Sequence, residues 1–320
     1  MKSRFLQFLI FLILVGILDR GIGWILQKKY RQCQKGNIGH TNQVMLSIEP
    51  ELLIIGSSRA SHHYVSSIFE EELQLSCFNA GADGSEMDYH SAVYFANVAR
   101  YQPEIVILDI NEYRFTKEGS RDGKLRVLAP YLGINNRIDQ LFYASDRWAR
   151  FKTLSAIYPY NSELTNLMTG GGITIRDKGY DPLKGRMDRS AILGTETRMR
   201  NASTDEARIK QLEELLADAQ NKKIMMVLIQ SPRYTNAVPN ETIRQIAVLA
   251  KKYGAYFVDD INHPDIFRNP EFFKDAAHLN HAGAKAYSRI VAGYVRRWVM
   301  ASEKTPSQDM TESTRKDSLQ

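Results

Sequence analysis

The stretch that decides the fold is Leu52 to Arg59, which reads LLIIGSSR. Its four consecutive apolar residues are typical of a strand buried on both faces, as strands of a parallel sheet are. Gly56 ends the run, and two serines follow it. In open parallel sheets, ligands bind beyond the carboxyl ends of the strands. The stretch therefore predicts a central strand and, directly after it, a place where chemistry can occur.

Four later apolar runs alternate with helical patterns. These runs cover 75–78, 105–108, 224–229 and 256–258, and the last predicted helix covers about 282–299. Strands that alternate with helices imply right-handed crossovers and a parallel sheet. We therefore predict an α/β fold, with a mostly parallel five-stranded sheet that is covered by helices on both faces.

Residues suited to acyl transfer stand after the first strand and before the last helix. A serine hydroxyl such as that of Ser58 is a weak nucleophile until a base takes its proton. His278 is the candidate base. Asp275, three residues earlier, can hold the imidazole tautomer and stabilise the imidazolium. The sequence thus predicts Ser58, His278 and Asp275 as catalytic residues.

Three groups could bind the oxyanion of a tetrahedral intermediate. Gly84, after the second strand, offers an amide hydrogen with no side chain in the way. Asn111, after the third strand, offers a side-chain amide, and the Ser58 amide is the third donor. One such donor lowers the barrier by roughly 3–4 kcal/mol.

These blocks, in this order, resemble the SGNH (GDSL) hydrolase superfamily. The four matching positions are Ser58, Gly84, Asn111, and Asp275 with His278. The resemblance implies a three-layer α/β/α fold with a flavodoxin-like sheet, and ester hydrolysis or acyl transfer without a metal or other cofactor. Two positions depart from the family pattern, because Ser57 and Glu112 stand where aspartate is usual. Ser57 therefore competes with Ser58 as nucleophile, and the glycine-x-serine spacing favours Ser58.

The GSSR form, together with an apolar N-terminus, resembles the branch that includes D-alanyl-lipoteichoic acid transfer and alginate O-acetylation proteins. This implies an extracytoplasmic protein that acts on cell-surface polymers beside a membrane-bound O-acyltransferase. We expect a serine esterase or O-acyltransferase that acts on ester groups, such as O-acetyl groups, of a glycan. The alternatives are a non-catalytic glycan-binding partner in a membrane polysaccharide-modification complex and a periplasmic lysophospholipase.

The N-terminal stretch 5–26 matches the ~20 residues that a helix needs to cross a bilayer. No small-residue cleavage site follows it, which favours an uncleaved anchor over residues 1–26 rather than a signal peptide. Asp19 and Arg20 are costly at membrane depth and are expected to form an interfacial pair. Basic residues lie on both sides of the span, so charge leaves the orientation open.

The remaining boundaries follow from composition. We expect a polar linker over 27–46, a hydrolase-like domain over 47–300 with an insertion over 113–203, and a disordered tail over 301–320. The insertion contains aromatic residues that would suit sugar rings, and it serves equally well as a structural cap.

Three residues near the nucleophile have competing interpretations. Arg59 could bind an anionic substrate, but an ion pair with an acidic neighbour such as Asp83 or Glu112 is favoured. His62 and His63 are expected in the first turn of the following helix, solvated or lining the cleft, without a catalytic role.

Composition excludes several classes of protein. The 320 residues are 43% hydrophobic and 24% charged, which suits a globular core rather than disorder. The net charge of +6 is spread along the chain, so nucleic-acid binding is not indicated. Cys33 and Cys77 cannot form a disulfide framework, and no spaced ligand set suggests a metal.

Overall fold

Five parallel strands form the centre of the fold in the computed structural model, which describes residues 2–119, 125–168, 177–187, 203–234 and 240–304. The strands are β1 (Leu52–Ile55), β2 (Cys77–Asn79), β3 (Ile105–Asp109), β4 (Met225–Gln230) and β5 (Tyr256–Asp259). Their order is β2-β1-β3-β4-β5, and every neighbouring pair is parallel. This is the flavodoxin-like order. The predicted sheet is confirmed.

Helices cover both faces of this sheet. The α-helices of the described residues, only some of which lie on the sheet, are α1 (Lys2–Gln32), α2 (Gly36–Leu46), α3 (Ser58–His63), α4 (Ser66–Leu73), α5 (Met87–Val98), α6 (Asn136–Ser145), α7 (Ala149–Lys152), α8 (Leu164–Met168), α9 (Glu206–Asn221), α10 (Glu241–Lys252) and α11 (His281–Lys304). Successive side chains of a strand point to opposite faces. Leu52 and Ile54 therefore pack with α4 and α11, while Leu53 and Ile55 pack with α2, α5 and α9. The result is the three-layer α/β/α arrangement.

The N-terminal helix α1 is long and apolar enough to cross a membrane, and its apolar side chains are exposed. Residues 2–26 of the predicted anchor, 1–26, lie within it, but the helix continues to Gln32. Asp19 does not form the predicted pair with Arg20. Its carboxylate instead accepts hydrogen bonds from the Ser155 hydroxyl (2.5 Å) and the Ala156 amide (2.7 Å), so α1 is bonded to the rest of the chain.

The predicted linker over 27–46 is wrong, because this segment is packed. Tyr30, at the end of α1, and Val44, in α2, are both fully covered. The Asn42 side chain donates hydrogen bonds to the Tyr30 and Cys33 carbonyls and accepts one from the Tyr131 hydroxyl. Polar composition misled the prediction because these polar groups are paired inside the protein rather than solvated.

Much of the predicted insertion, 113–203, packs as a structural cap. Ile138 and Phe142 of α6 are buried in the same core as α5. The glycine run 170–172 lies outside the described residues. The last helix continues to Lys304, four residues into the predicted tail, and 305–320 also lie outside the described part.

Candidate active site

Ser58, His278 and Asp275 form a continuous hydrogen-bonded chain. Ser58 is the first residue of α3, directly beyond β1, and its Oγ lies 2.8 Å from His278 Nε2. The His278 Nδ1 atom is 3.0 Å from both carboxylate oxygens of Asp275. Because a carboxylate can only accept, His278 carries its proton on Nδ1, and Nε2 is free to accept the Ser58 proton.

The pKa of the Asp275 carboxylate is lowered, so the group stays ionised. Burial raises its pKa, but hydrogen bonds from the His278 ring and from the amides of Ala277 and His278 outweigh this and hold the pKa below the ordinary value. The same backbone bonds fix the turn that carries both side chains. Asp275 is half exposed, so its charge is partly screened by solvent.

Two of the predicted oxyanion donors lie on loops held against the end of β1. The carbonyl of Gly56 accepts hydrogen bonds from the Ala82 amide (3.0 Å) and the Ser85 hydroxyl (3.3 Å), which fixes the turn containing Gly84. Gly84 has a φ of +66°, a conformation that suits glycine. Asn111 follows β3, the neighbour of β1, and its side chain has no hydrogen-bond partner among the described residues.

The third predicted donor, the Ser58 amide, is engaged by its neighbour. Ser57 Oγ accepts a hydrogen bond of 2.6 Å from this amide at the start of α3. Ser57 therefore caps the helix, and Ser58 rather than Ser57 carries the hydroxyl that contacts His278.

Arg59 forms the kind of contact that was favoured for it, an ion pair with an acidic residue, but with a different partner. Its side chain is only 4% exposed and forms an ion pair with Asp109 (3.3 Å), not with Asp83 or Glu112. It also donates hydrogen bonds to the carbonyls of Ile110 and Ser231. One residue along a helix turns the side chain by about 100°. Arg59 thus points into the protein while Ser58 faces the cleft, and its predicted role in substrate binding is wrong.

His63 is a site residue that the sequence analysis missed. It is fully buried, not solvated, and its Nε2 accepts a hydrogen bond from the Leu279 amide (3.0 Å). Its Nδ1 must then donate to Ser231 Oγ (3.1 Å). Burial, followed by the charge of His278, holds the pKa of His63 well below its ordinary value, so the ring stays neutral. It anchors the residue next to His278.

His62 differs from His63 in that it donates hydrogen bonds from both ring nitrogens. Its Nδ1 lies 2.7 Å from the Asp181 carbonyl, and its Nε2 lies 3.2 Å from the Asp83 carboxylate. Both partners can only accept, so both ring nitrogens donate. Burial lowers the pKa of His62, but these two acceptors outweigh it and raise the pKa. Its ring centre is 5.7 Å from that of His278.

A cavity of about 400 Å³ adjoins this site on the side of Asp83. It lies between the 82–85 loop, α2 and the residues around α8, and polar and apolar groups share its wall. Polar lining residues include Asn37, Thr41, Asp83, Glu163, Asn166 and Asp181. The described residues contain no group of three or more His, Cys, Asp or Glu that could hold a metal ion.

Comparison with known proteins gives a weak likeness to ester hydrolases. No family model and no curated protein matches the chain. Similar solved structures include a protein described as lipolytic, of the G-D-S-L family, from Desulfitobacterium hafniense (10% identity, TM-score 0.41, 75% of this chain and 97% of that one). Another is a variant of an acetylxylan esterase from Geobacillus stearothermophilus (11% identity, TM-score 0.37, 74% and 90%). At such values the likeness decides neither family nor reaction, so any assignment depends on the site's own geometry.

Proposed function

We propose that the protein is a serine ester hydrolase or O-acyltransferase of the SGNH type. The observation that carries this proposal is the bonded chain from Ser58 Oγ through the His278 ring to the Asp275 carboxylate. A nucleophile, a base and an orienting carboxylate within hydrogen-bond reach are what acyl transfer requires.

The proposed reaction has two halves. Ser58 Oγ attacks the acyl carbonyl carbon while His278 Nε2 takes the hydroxyl proton, and Asp275 stabilises the imidazolium that forms. Collapse of the tetrahedral intermediate breaks the ester bond, and His278 returns the proton to the departing alkoxide oxygen. Water or a sugar hydroxyl then attacks the acyl-serine while His278 takes its proton. The bond between the acyl carbon and Ser58 Oγ breaks, and His278 returns the proton to Oγ.

Oxyanion stabilisation falls to the Gly84 amide, the Asn111 side chain and the Ser58 amide. The first two lie on the loops that border the end of β1. The Ser58 amide becomes available when the Ser57 hydroxyl rotates away from it. Ser57 thus replaces the family's usual aspartate with a neutral group next to the developing negative charge.

An acylated glycan of the cell envelope is the proposed substrate. The cavity beside His62 offers carboxylate, amide and hydroxyl groups, which suit the hydrogen bonds of sugar hydroxyls. Its acidic members, Asp83, Glu163 and Asp181, disfavour a strongly anionic group at this place. With α1 as a membrane anchor, the site would face the extracytoplasmic side, where a membrane-bound O-acyltransferase is the proposed partner.

Two serine variants of the full chain test the proposal. Ser58→Ala should lower hydrolysis of p-nitrophenyl acetate by about 10⁴-fold or more and abolish labelling by a fluorophosphonate. Ser57→Ala is the matched control, and this variant should keep both the ester hydrolysis and the labelling. Equal labelling of wild type and Ser58→Ala would remove Ser58 as nucleophile. Full surface-polymer acylation in Ser58→Ala cells would instead support the non-catalytic glycan-binding alternative.

A further inference from the structure

An apolar patch with basic neighbours lies beside the point where α1 is bonded to the rest of the chain. Trp148, Phe151 and Leu154 are 54%, 72% and 63% exposed, respectively. The basic residues Arg147 and Arg150 alternate with them and are also exposed. Large apolar side chains exposed together mark a binding surface rather than ordinary solvent-facing positions.

This patch is held rigidly despite its exposure. Ala149, between the exposed residues, is fully buried. The Asp146 carboxylate accepts a hydrogen bond from the Trp148 amide (2.8 Å), and the Thr153 hydroxyl donates to the Ala149 carbonyl (2.9 Å). The exposed side chains are therefore presented by a fixed backbone.

The patch continues directly into the contact with α1. Ser155 and Ala156, next along the chain, donate hydrogen bonds to Asp19. Gly23, one turn further along α1, lies so close that a Cβ there would meet the Ala156 Cβ at 2.4 Å. The height of the patch relative to α1 is thus fixed by several contacts.

The position of the patch along α1 coincides with the edge of the hydrocarbon core of a bilayer. The uncharged stretch of α1 from Phe5 to Leu18 spans fourteen residues, roughly 21 Å at 1.5 Å per residue. A hydrocarbon core is about 30 Å thick. If α1 crosses the membrane, this stretch is about 9 Å too short, and the next six residues, 19–24, complete the core. Gly23 then lies at the edge of the lipid interface, and Asp19 lies just inside the hydrocarbon. Ser155 and Ala156 then lie there too, and their hydrogen bonds explain why Asp19 is tolerated.

We propose that residues 146–157 form a second membrane contact, in which Trp148, Phe151 and Leu154 enter the lipid interface and Arg147 and Arg150 lie among the phosphate headgroups. Tryptophan and phenylalanine favour this zone, and arginine stems extend to keep the charge in the headgroup layer. Basic residues near a membrane surface also favour anionic lipid. The contact rests on α1 as a span, not on the proposed reaction, and it fixes the orientation of the body on the membrane.

The three tryptophans of the chain provide the test. The full chain is placed in phosphatidylcholine vesicles whose acyl chains carry bromine, which quenches nearby indole fluorescence. In the variant that keeps only Trp148 (Trp24→Phe with Trp298→Phe), the indole fluorescence should be quenched and blue-shifted. The extent should be similar to that in the variant that keeps only Trp24. Trp298 alone is the control that should stay unquenched, because this residue stacks on Tyr256 and packs on the face of the sheet opposite to the one that the end of α1 contacts.

Quenching of Trp148 no greater than that of Trp298 overturns the proposal. If Trp24 is not quenched either, α1 does not span the membrane, and the proposed second contact is refuted with it. If a variant that keeps a single tryptophan does not fold, the Trp148 fluorescence is obtained by subtraction. It is the difference in quenched fluorescence between Trp24→Phe and the double variant Trp24→Phe/Trp148→Phe. Adding phosphatidylglycerol should increase Trp148 quenching, and Arg147→Glu with Arg150→Glu should remove that increase. Ester hydrolysis by these variants should match wild type, which separates this result from the fate of the proposed reaction.

Discussion

Replacing Arg59 by methionine should destabilise the protein without touching the reacting atoms. Methionine is similar in length but leaves the Asp109 carboxylate and two backbone carbonyls without their donor. Removing one partner of a buried ion pair typically costs about 3–5 kcal/mol. One hydrogen bond from Tyr64 remains on Asp109, which places the expected cost towards the lower end of that range. With about 2–4 °C per kcal/mol for a body of this size, Tm should fall by roughly 10 °C.

The measurement is thermal unfolding of the detergent-solubilised chain, with Arg244→Met as matched control. Arg244 pairs with Glu241 on the exposed face of α10, where both side chains are about two-thirds exposed. Such pairs contribute about 0–1 kcal/mol, so Tm should barely change in this variant. The difference between the two variants isolates the effect of burial.

The pH dependence gives an independent check with a defined sign. Burial already raises the pKa of Asp109, and the charge of Arg59 opposes this rise. Loss of Arg59 raises that pKa further, so the folded variant binds a proton that the unfolded chain releases. Its stability then falls as pH rises above the ordinary carboxyl range, and the Tm deficit should be larger at neutral pH than at mildly acidic pH. An unchanged Tm with a raised KM would refute the structural role and restore substrate binding by Arg59.

Three further predictions concern the site and its support. Asp275→Asn should lower kcat by up to about 10⁴-fold with little change in KM, because the His278 tautomer is no longer fixed; unchanged steady-state kinetics would contradict this. His63→Phe leaves the buried Leu279 amide without an acceptor, so the free energy of unfolding should fall by about 1–3 kcal/mol, and kcat should fall as well; a normal kcat in the folded variant would show that His63 does not position the base. Gly81→Ala should unfold or shift the loop, since its Cβ would lie 2.3 Å from a backbone nitrogen of α3, and a wild-type melting curve would disprove this close approach.

The sequence predicted the parts of the fold that are encoded locally. The run Leu52–Ile55 marks β1 because a strand buried on both faces must be apolar throughout, and the residues after it follow from parallel-sheet geometry. The ion pair of Arg59 was favoured correctly, but its partner was not identified, because nothing local in the sequence distinguishes Asp109 from other nearby carboxylates. His63 was missed for the same reason, since its acceptor role depends on Leu279, more than two hundred residues away. Such contacts between distant segments leave no periodic pattern in the sequence.

The position of the cavity along α1 separates the proposed glycan substrate from a membrane lipid. Tyr30 lines the cavity, while Gly23, which lies against Ala156, marks the level of the lipid interface under the proposed docking. Seven steps of continuous helix separate them, roughly 10 Å at 1.5 Å per residue, and a tilt of about 20° shortens this only slightly. The ester of a lysophospholipid lies at the interface itself and would have to leave the bilayer by this distance to reach the cavity. A polymer that extends from the surface meets the site without that cost, so hydrolysis of a soluble acetylated oligosaccharide should exceed hydrolysis of a lysophospholipid in vesicles. The reverse preference would show that the body does not stand on the membrane at this height.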